Sequence, residues 1–192
     1  MVKTAYIEEI VEIPKGVSIK VDDNNNVTIK GPNGGPITKD FSHANNIKIT
    51  TDGGKVKISS YFPSNKTQAL IGTVTSIIKN LITGVQTNFK YICMVCYSHF
   101  PCNVEVKKGE IHIVNFLGER APRKSKYDDT HVKVTVAGDE VIIEGPDKEQ
   151  LGQVAANVKR SCRIRKKDPR VFQDGVYLYK RMLGNEIIWE IV

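Results

Sequence analysis

Cys93, Cys96, His99 and Cys102 follow one another at intervals of three residues, and thiolates with an imidazole are the donor set of a structural zinc site. The local sequence argues against that chemistry. From Phe89 to Val106 the chain is rich in Tyr, Val, Ile and Cys and reads as strand, in which residues three apart point to opposite faces about 10 Å from each other. Unless a turn folds the segment, these donors do not converge, and no metal is expected. His43, His112 and His131 complete the histidines. An acid-base pair built on them is open to chemistry, but His112 and His131 sit inside alternating strands, where solvent-facing or core-edge positions are the usual outcome. The sequence contains no Walker loop, dinucleotide fingerprint, G-x-S-x-G elbow or HExxH motif. The chain is therefore read as non-catalytic, with no catalytic residue and no cofactor.

Charge supplies the other candidate chemistry. Seven basic residues, Lys159, Arg160, Arg163, Arg165, Lys166, Lys167 and Arg170, stand against Asp168 alone. A second group, Arg120, Arg123, Lys124 and Lys126, follows Gly118 and contains Pro122. Basic loops at a hairpin end and a helix end reach phosphates, and arginine adds a bidentate fork. Phosphate binding, and RNA in particular, is the functional reading of these eleven residues; a solvated helix end or another acidic partner is the bland one. The run Gly31-Pro-Asn-Gly34 has the spacing of the GxxG loop that grips single-stranded RNA between two helices. Here it follows the strand Val27–Lys30, so a plain turn is expected.

The elements that position these groups come from an internal duplication. Ile47–Ile58 recurs without a gap 85 positions later as Val132–Ile143, each copy alternating apolar and polar residues around a glycine-containing turn. Val17, Ile19 and Val21 correspond at the same offset to Cys102, Val104 and Val106, and Val27-Thr-Ile29 to Ile111-His-Ile113 at 84. Alternation around such turns is a hairpin pattern. Helical stretches follow, from Asn65 to about Thr83 and from Asp147 to about Arg163, with Asn65 and Asp147 as expected N-caps. The expected fold class is α+β: two tandem similar domains, 1–85 and 86–192, each an antiparallel β-sheet packed against an α-helix. Asp174-Gly175, before a final strand, calls for a positive φ at Gly175.

Composition agrees with a folded, anion-seeking protein. Of 192 residues 40% are hydrophobic and 26% charged, and 28 Lys and Arg against 21 Asp and Glu give a net charge of +7, which favours polyanions. Ten of the basic and seven of the acidic residues precede Gln86, so the two halves differ in clustering more than in net charge. The start carries Glu8, Glu9 and Glu12 in place of a secretory signal, and no apolar run reaches membrane-span length. An intracellular, cytoplasmic protein with reduced cysteines and no membrane partner is expected, and the sequons at Asn26 and Asn65 are read as chance.

One longer pattern is specific. Arg170-x-Phe172-x-Asp174-Gly175-Val176-Tyr177-Leu178, with Lys167 before it and Arg181 after it, resembles the C-terminal signature of the universal ribosomal large-subunit protein six family in its archaeal and eukaryotic form, protein nine in eukaryotes. Val27-x-Ile29-Lys30-Gly31-Pro32, Asp40-Phe41-x-His43, Tyr97-x-His99-Phe100-Pro101 and Asn115-Phe116-Leu117-Gly118-Glu119 extend the resemblance along nearly the whole chain. It implies two tandem α+β domains and binding of large-subunit ribosomal RNA, mainly through the second domain. The site implied lies close to the sarcin-ricin loop and the stalk base, where translational factors dock. It implies a protein that braces RNA, a monomer within the ribosome beside neighbouring large-subunit proteins, assembled in the nucleolus if the source is eukaryotic. The runner-up reading is a non-ribosomal β-sheet protein-interaction adaptor. The tail after Arg181 is apolar where the family pattern is polar, which suits a contact with a neighbouring protein.

Overall fold

The computed structural model describes residues 5–98, 100–168 and 170–191; His99 of the cysteine-histidine series lies outside them. The chain divides into two compact units, Met1–Gln86 and Thr87–Val192.

The first unit contains β1 (Tyr6–Glu12), β2 (Ser18–Val21), β3 (Asn26–Gly31), β4 (Gly34–Asp40), β5 (Lys48–Asp52), β6 (Lys55–Tyr61) and the helix α1 (Asn65–Gln86). All pairings are antiparallel, in two three-stranded sheets ordered β1-β6-β5 and β2-β3-β4. The second unit repeats the plan with β7 (Phe89–Cys96), β8 (Asn103–Lys107), β9 (Glu110–Val114), β10 (Arg123–Lys126), β11 (Lys133–Ala137), β12 (Glu140–Gly145) and α2 (Lys148–Ser161). It then adds a hairpin, β13 (Gly175–Leu183) and β14 (Glu186–Glu190). Its sheets run β10-β9-β8 and β11-β12-β7-β13-β14. The fold is α+β with two similar tandem units, and within each unit the strands are shared between two sheets.

The duplication read from the sequence is a duplication of register. Lys48 faces Ser59 and Asp52 faces Lys55, and 85 positions on Lys133 faces Glu144 and Ala137 faces Glu140. Gly53 and Gly138 occupy the same turn position with φ of 52° and 61°, a conformation that costs a residue with a Cβ. Ile19 pairs with Ile29 in one unit and Val104 with Ile113 in the other.

Each helix covers its sheets with one apolar stripe. In α1 the buried residues Ile71, Val74, Ile78, Leu81 and Val85 recur at three and four positions, so that they share a face. In α2 the stripe is Leu151, Val154, Ala155 and Val158. Asp147 caps α2 as expected, accepting from the Glu149 N–H at 2.9 Å. The cap of α1 is Ser64 and not Asn65: the Thr67 N–H donates to Ser64 Oγ at 3.2 Å, and Asn65 is already helical. Helix α1 also outruns its expected end near Thr83, because Val85 is fully buried and extends the stripe.

The Gly31–Gly34 run is a turn between β3 and β4, and it docks on the end of α1. The Asn33 N–H donates to the Val85 carbonyl at 3.0 Å and its side-chain amide to the Gln86 carbonyl, satisfying acceptors that a helix end leaves open. Phe89–Val106 is not one strand. β7 ends at Cys96 and β8 begins at Asn103 in a different sheet, so the cysteines are divided by a loop. Among the described residues no helix is long and apolar enough to cross a membrane.

Candidate nucleic-acid interface

The two basic groups lie some forty residues apart in sequence, and Arg123 brings them together. It opens β10, an edge strand on β9. Its Nε and Nη2 donate to the two carboxylate oxygens of Glu119 at 2.8 and 2.6 Å, while Nη1 donates to the carbonyls of Ser161 and Arg163, each at 3.0 Å. The guanidinium also lies 4.3 Å from the centroid of the buried Phe116 ring. One side chain thus ties β10, the preceding turn and the C-terminal end of α2 into one body. Only a planar fork serves three acceptor groups in two directions and an aromatic face at once.

The segment Asn115–Glu119 is shaped to make that arrangement. Asn115, Leu117 and Gly118 take φ of 58°, 52° and 76°, coiling the chain tightly enough to drive Phe116 into the core and leave Glu119 opposite Arg123. The Asn115 side chain donates to the Pro101 carbonyl at 3.1 Å, and Gly118 stands against the Phe100 ring, where an added Cβ would meet it at 3.6 Å. The charge-assisted bonds from Arg123 hold the Glu119 carboxyl below the ordinary carboxylate range, with Lys167 adding to the effect.

Around this clamp the other basic side chains are exposed. Arg120 stands beside it in the turn, and Lys124 and Lys126 alternate with the buried Ser125 along β10. Lys124 Nζ is 3.9 Å from Glu110. Lys159 and Arg160 form the last turn of α2, where cations oppose the negative end of the helix dipole. Arg163, Arg165, Lys166, Lys167 and Arg170 follow in an exposed loop. Asp168, the lone acid in that run, is a turn former: its side chain accepts from the Arg170 N–H at 2.9 Å and its carbonyl from the Phe172 N–H at 3.0 Å. Lys166 adopts φ of 58°, a region where a lysine is uncommon. Lys167 lies 4.5 Å from the Phe172 ring centroid and Lys159 5.7 Å from that of Tyr177.

Of the eleven residues singled out in the sequence, ten point charge outward on one unit and Arg123 is turned inward, as a positioning residue. Sequence reasoning quoted Phe116 and Glu119, its partners, as part of the family resemblance and gave them no role, although an acid stands four residues before the arginine. Gly175 is also differently placed. Its φ is not positive; it is buried at the start of β13, and an added Cβ would fall 2.9 Å from the Tyr177 ring. A cleft of about 470 Å³ opens beside it, between the end of α2, the basic loop and β13.

Of the cysteines, Cys162 lines this cleft and the other three do not. Cys93, Cys102 and Cys162 are buried and Cys96 partly so, all as free thiols. Burial pushes Cys93 up to about 12 and Cys102 to about 11. Among the described residues no group of three or more His, Cys, Asp or Glu side chains is arranged to hold a metal ion. His112 is buried, 2.8 Å from Glu110.

Comparison with known proteins agrees with the duplicated architecture. The sequence profile of the family described as Ribosomal protein L6 matches residues 13–88 and again 100–175, the first match covering the first unit from residue 13 and running two residues past Gln86, the second lying within the second unit. A protein of Methanobrevibacter smithii named large ribosomal subunit protein uL6 is 45% identical over 181 residues, covering 94% of this chain and 99% of the relative. Proteins of the same name from Staphylothermus marinus and Methanosphaera stadtmanae are 40% and 45% identical, covering 93% of this chain in each case and 97% and 95% of the relatives. With two profile matches along a chain of two similar structural repeats, and archaeal relatives that cover nearly the whole chain, the chain belongs to the ribosomal protein L6 family.

Proposed function

We propose that the protein is a structural constituent of the large ribosomal subunit, that its second unit binds large-subunit ribosomal RNA, and that it acts as a brace and not as an enzyme. The observation that carries this reading is the Arg123 clamp, which makes one basic surface out of two clusters distant in sequence. A folded RNA presents phosphates from several strands at once, and a rigid array of separated cations matches it better than a flexible charged tail. Arg120, Lys124, Lys126, Lys159, Arg160, Arg163, Arg165, Lys166, Lys167 and Arg170 are the proposed phosphate contacts, with Arg123 holding them in place. The family resemblance points to the neighbourhood of the sarcin-ricin loop and stalk base, in the cytoplasm, with neighbouring large-subunit proteins as further partners.

Sedimentation of the endogenous protein tests the reading. It should travel with whole ribosomes at high magnesium and remain with the large subunit when magnesium is lowered and the subunits part. Recovery at the top of the gradient under both conditions would overturn it, and a stable complex surviving nuclease treatment would favour an adaptor outside the ribosome.

A further inference from the structure

The cleft beside the basic surface has a composition that phosphate binding does not explain. Its walls are apolar and aromatic, from Cys162, Ile164, Val176, Phe172 and Tyr177, and its rim is basic, from Lys159, Arg160 and Arg163. Lys159 and Lys167 lie over the two aromatic rings. A phosphate gains nothing from an apolar wall. Asp174 also lines the cleft and is buried, its carboxylate accepting from the Ser98 N–H at 2.9 Å. A buried carboxylate repels an anion and tolerates a neutral, hydrogen-bonding group. The sign of charge therefore changes from the exposed basic side chains to the buried acid, as a nucleotide requires when its phosphate stays outside and its base goes in. The volume, about 470 Å³, lies in the usual range for a site that encloses a small flat group.

On this basis, and resting on the RNA-binding reading above, we propose that the cleft between α2 and β13 captures one unstacked nucleobase of the bound RNA, against Tyr177 and Phe172, with its backbone phosphates on Lys159, Arg160 and Arg163. Bases inside an A-form helix are not available to such a cleft, so the nucleotide comes from a loop, bulge or junction. The protein then reads a feature of RNA shape, because the surrounding cations seat the helix only where a base is free to turn out. Glycine at position 175 is part of the design: a Cβ there would strike the Tyr177 ring and displace the wall.

The test uses the full chain with extracted large-subunit ribosomal RNA. The backbone is probed by hydroxyl radicals, and base edges by dimethyl sulfate and a carbodiimide. Three proteins are compared: wild type, the double variant Tyr177→Leu with Phe172→Leu, and Ala156→Trp, which fills the cleft from an exposed position on α2 and keeps the fold independent of the aromatic changes. Wild type should shield the base edge of an unpaired nucleotide. Both variants should restore its reactivity and weaken binding about 5- to 100-fold, the usual effect of losing one base-aromatic stack, with neighbouring backbone protections kept. Base reactivities identical in all three proteins, with backbone protections kept, would overturn the cleft assignment alone. Absence of any backbone protection by wild type would overturn the RNA-binding reading itself.

Discussion

Among single residues, Arg123 and the buried thiols carry the sharpest expectations. Replacing Arg123 with Lys keeps the charge and discards the fork, leaving Glu119 and two carbonyls to compete for one ammonium. The expected loss is about 1–2 kcal/mol, measured by urea unfolding; unchanged stability would show that the clamp is incidental. The same pair sets an acid response. Because the folded state lowers the Glu119 carboxyl below its unfolded value, its contribution is present at neutral pH and lost as pH falls through the folded pKa. Melting temperature should therefore fall on acidification below about pH 4, and less steeply in Glu119→Gln, and equal slopes would contradict the assignment. For the cysteines, burial at Cys93 and Cys102 leaves on the order of one thiol in a thousand or fewer ionised at pH 8. Alkylation of the native protein at that pH, read by mass spectrometry, should label Cys96, partly exposed, before either of them. Equal labelling of Cys93 would mean that the β7 core opens readily.

Among the elements, one substitution type should have opposite effects in two places. Gly31→Ala puts a Cβ within 2.7 Å of the Val85 side chain and should cost about 1–3 kcal/mol by overpacking the turn against α1. Gly72→Ala, inside α1 with nothing within 4 Å of the new atom, should add about 0.5–1 kcal/mol through helix propensity. Thermal melts of the two variants moving in the same direction would contradict this packing. These elements also show what is legible in the sequence. The hairpins β5–β6 and β11–β12 are readable because strict alternation and a gapless 85-residue offset survive in both copies. The strands that escape a linear reading lack that signal. β4 contains Pro36, β10 is Arg-Lys-Ser-Lys with only Ser125 buried, and β14 is exposed throughout; edge strands take their order from a neighbour's backbone and not from their own pattern. Phe89–Val106 reads as one strand because β-prone residues flank the break on both sides, with Ser98 and Pro101 the sequence signals of an interruption, and β7 and β8 lie in different sheets. The basic residues are legible by type and their union is not: the hydrogen bonds that join them span 38 and 40 positions.

Across the whole molecule, the two units share a plan and differ in what was added to the second. Its hairpin β13–β14 widens one sheet to five strands, and the loop leading into it carries the basic run and one wall of the cleft. The first unit has its lysines dispersed, some already engaged, such as Lys57 with Asp52 at 2.8 Å. If the location of charge governs RNA binding, and not its total, the salt dependence of affinity for extracted large-subunit ribosomal RNA will show it. In one variant Arg163, Arg165, Lys166 and Lys167 become Gln, and in a second, matched in net charge, the exposed Lys20, Lys30, Lys48 and Lys66 of the first unit do. The first variant should flatten the log-log salt slope by roughly 0.7 to 0.9 for each phosphate that is no longer neutralised. The second should stay near wild type, and both should melt within about 0.5 kcal/mol of it. Equal flattening in the two variants would contradict a located binding surface.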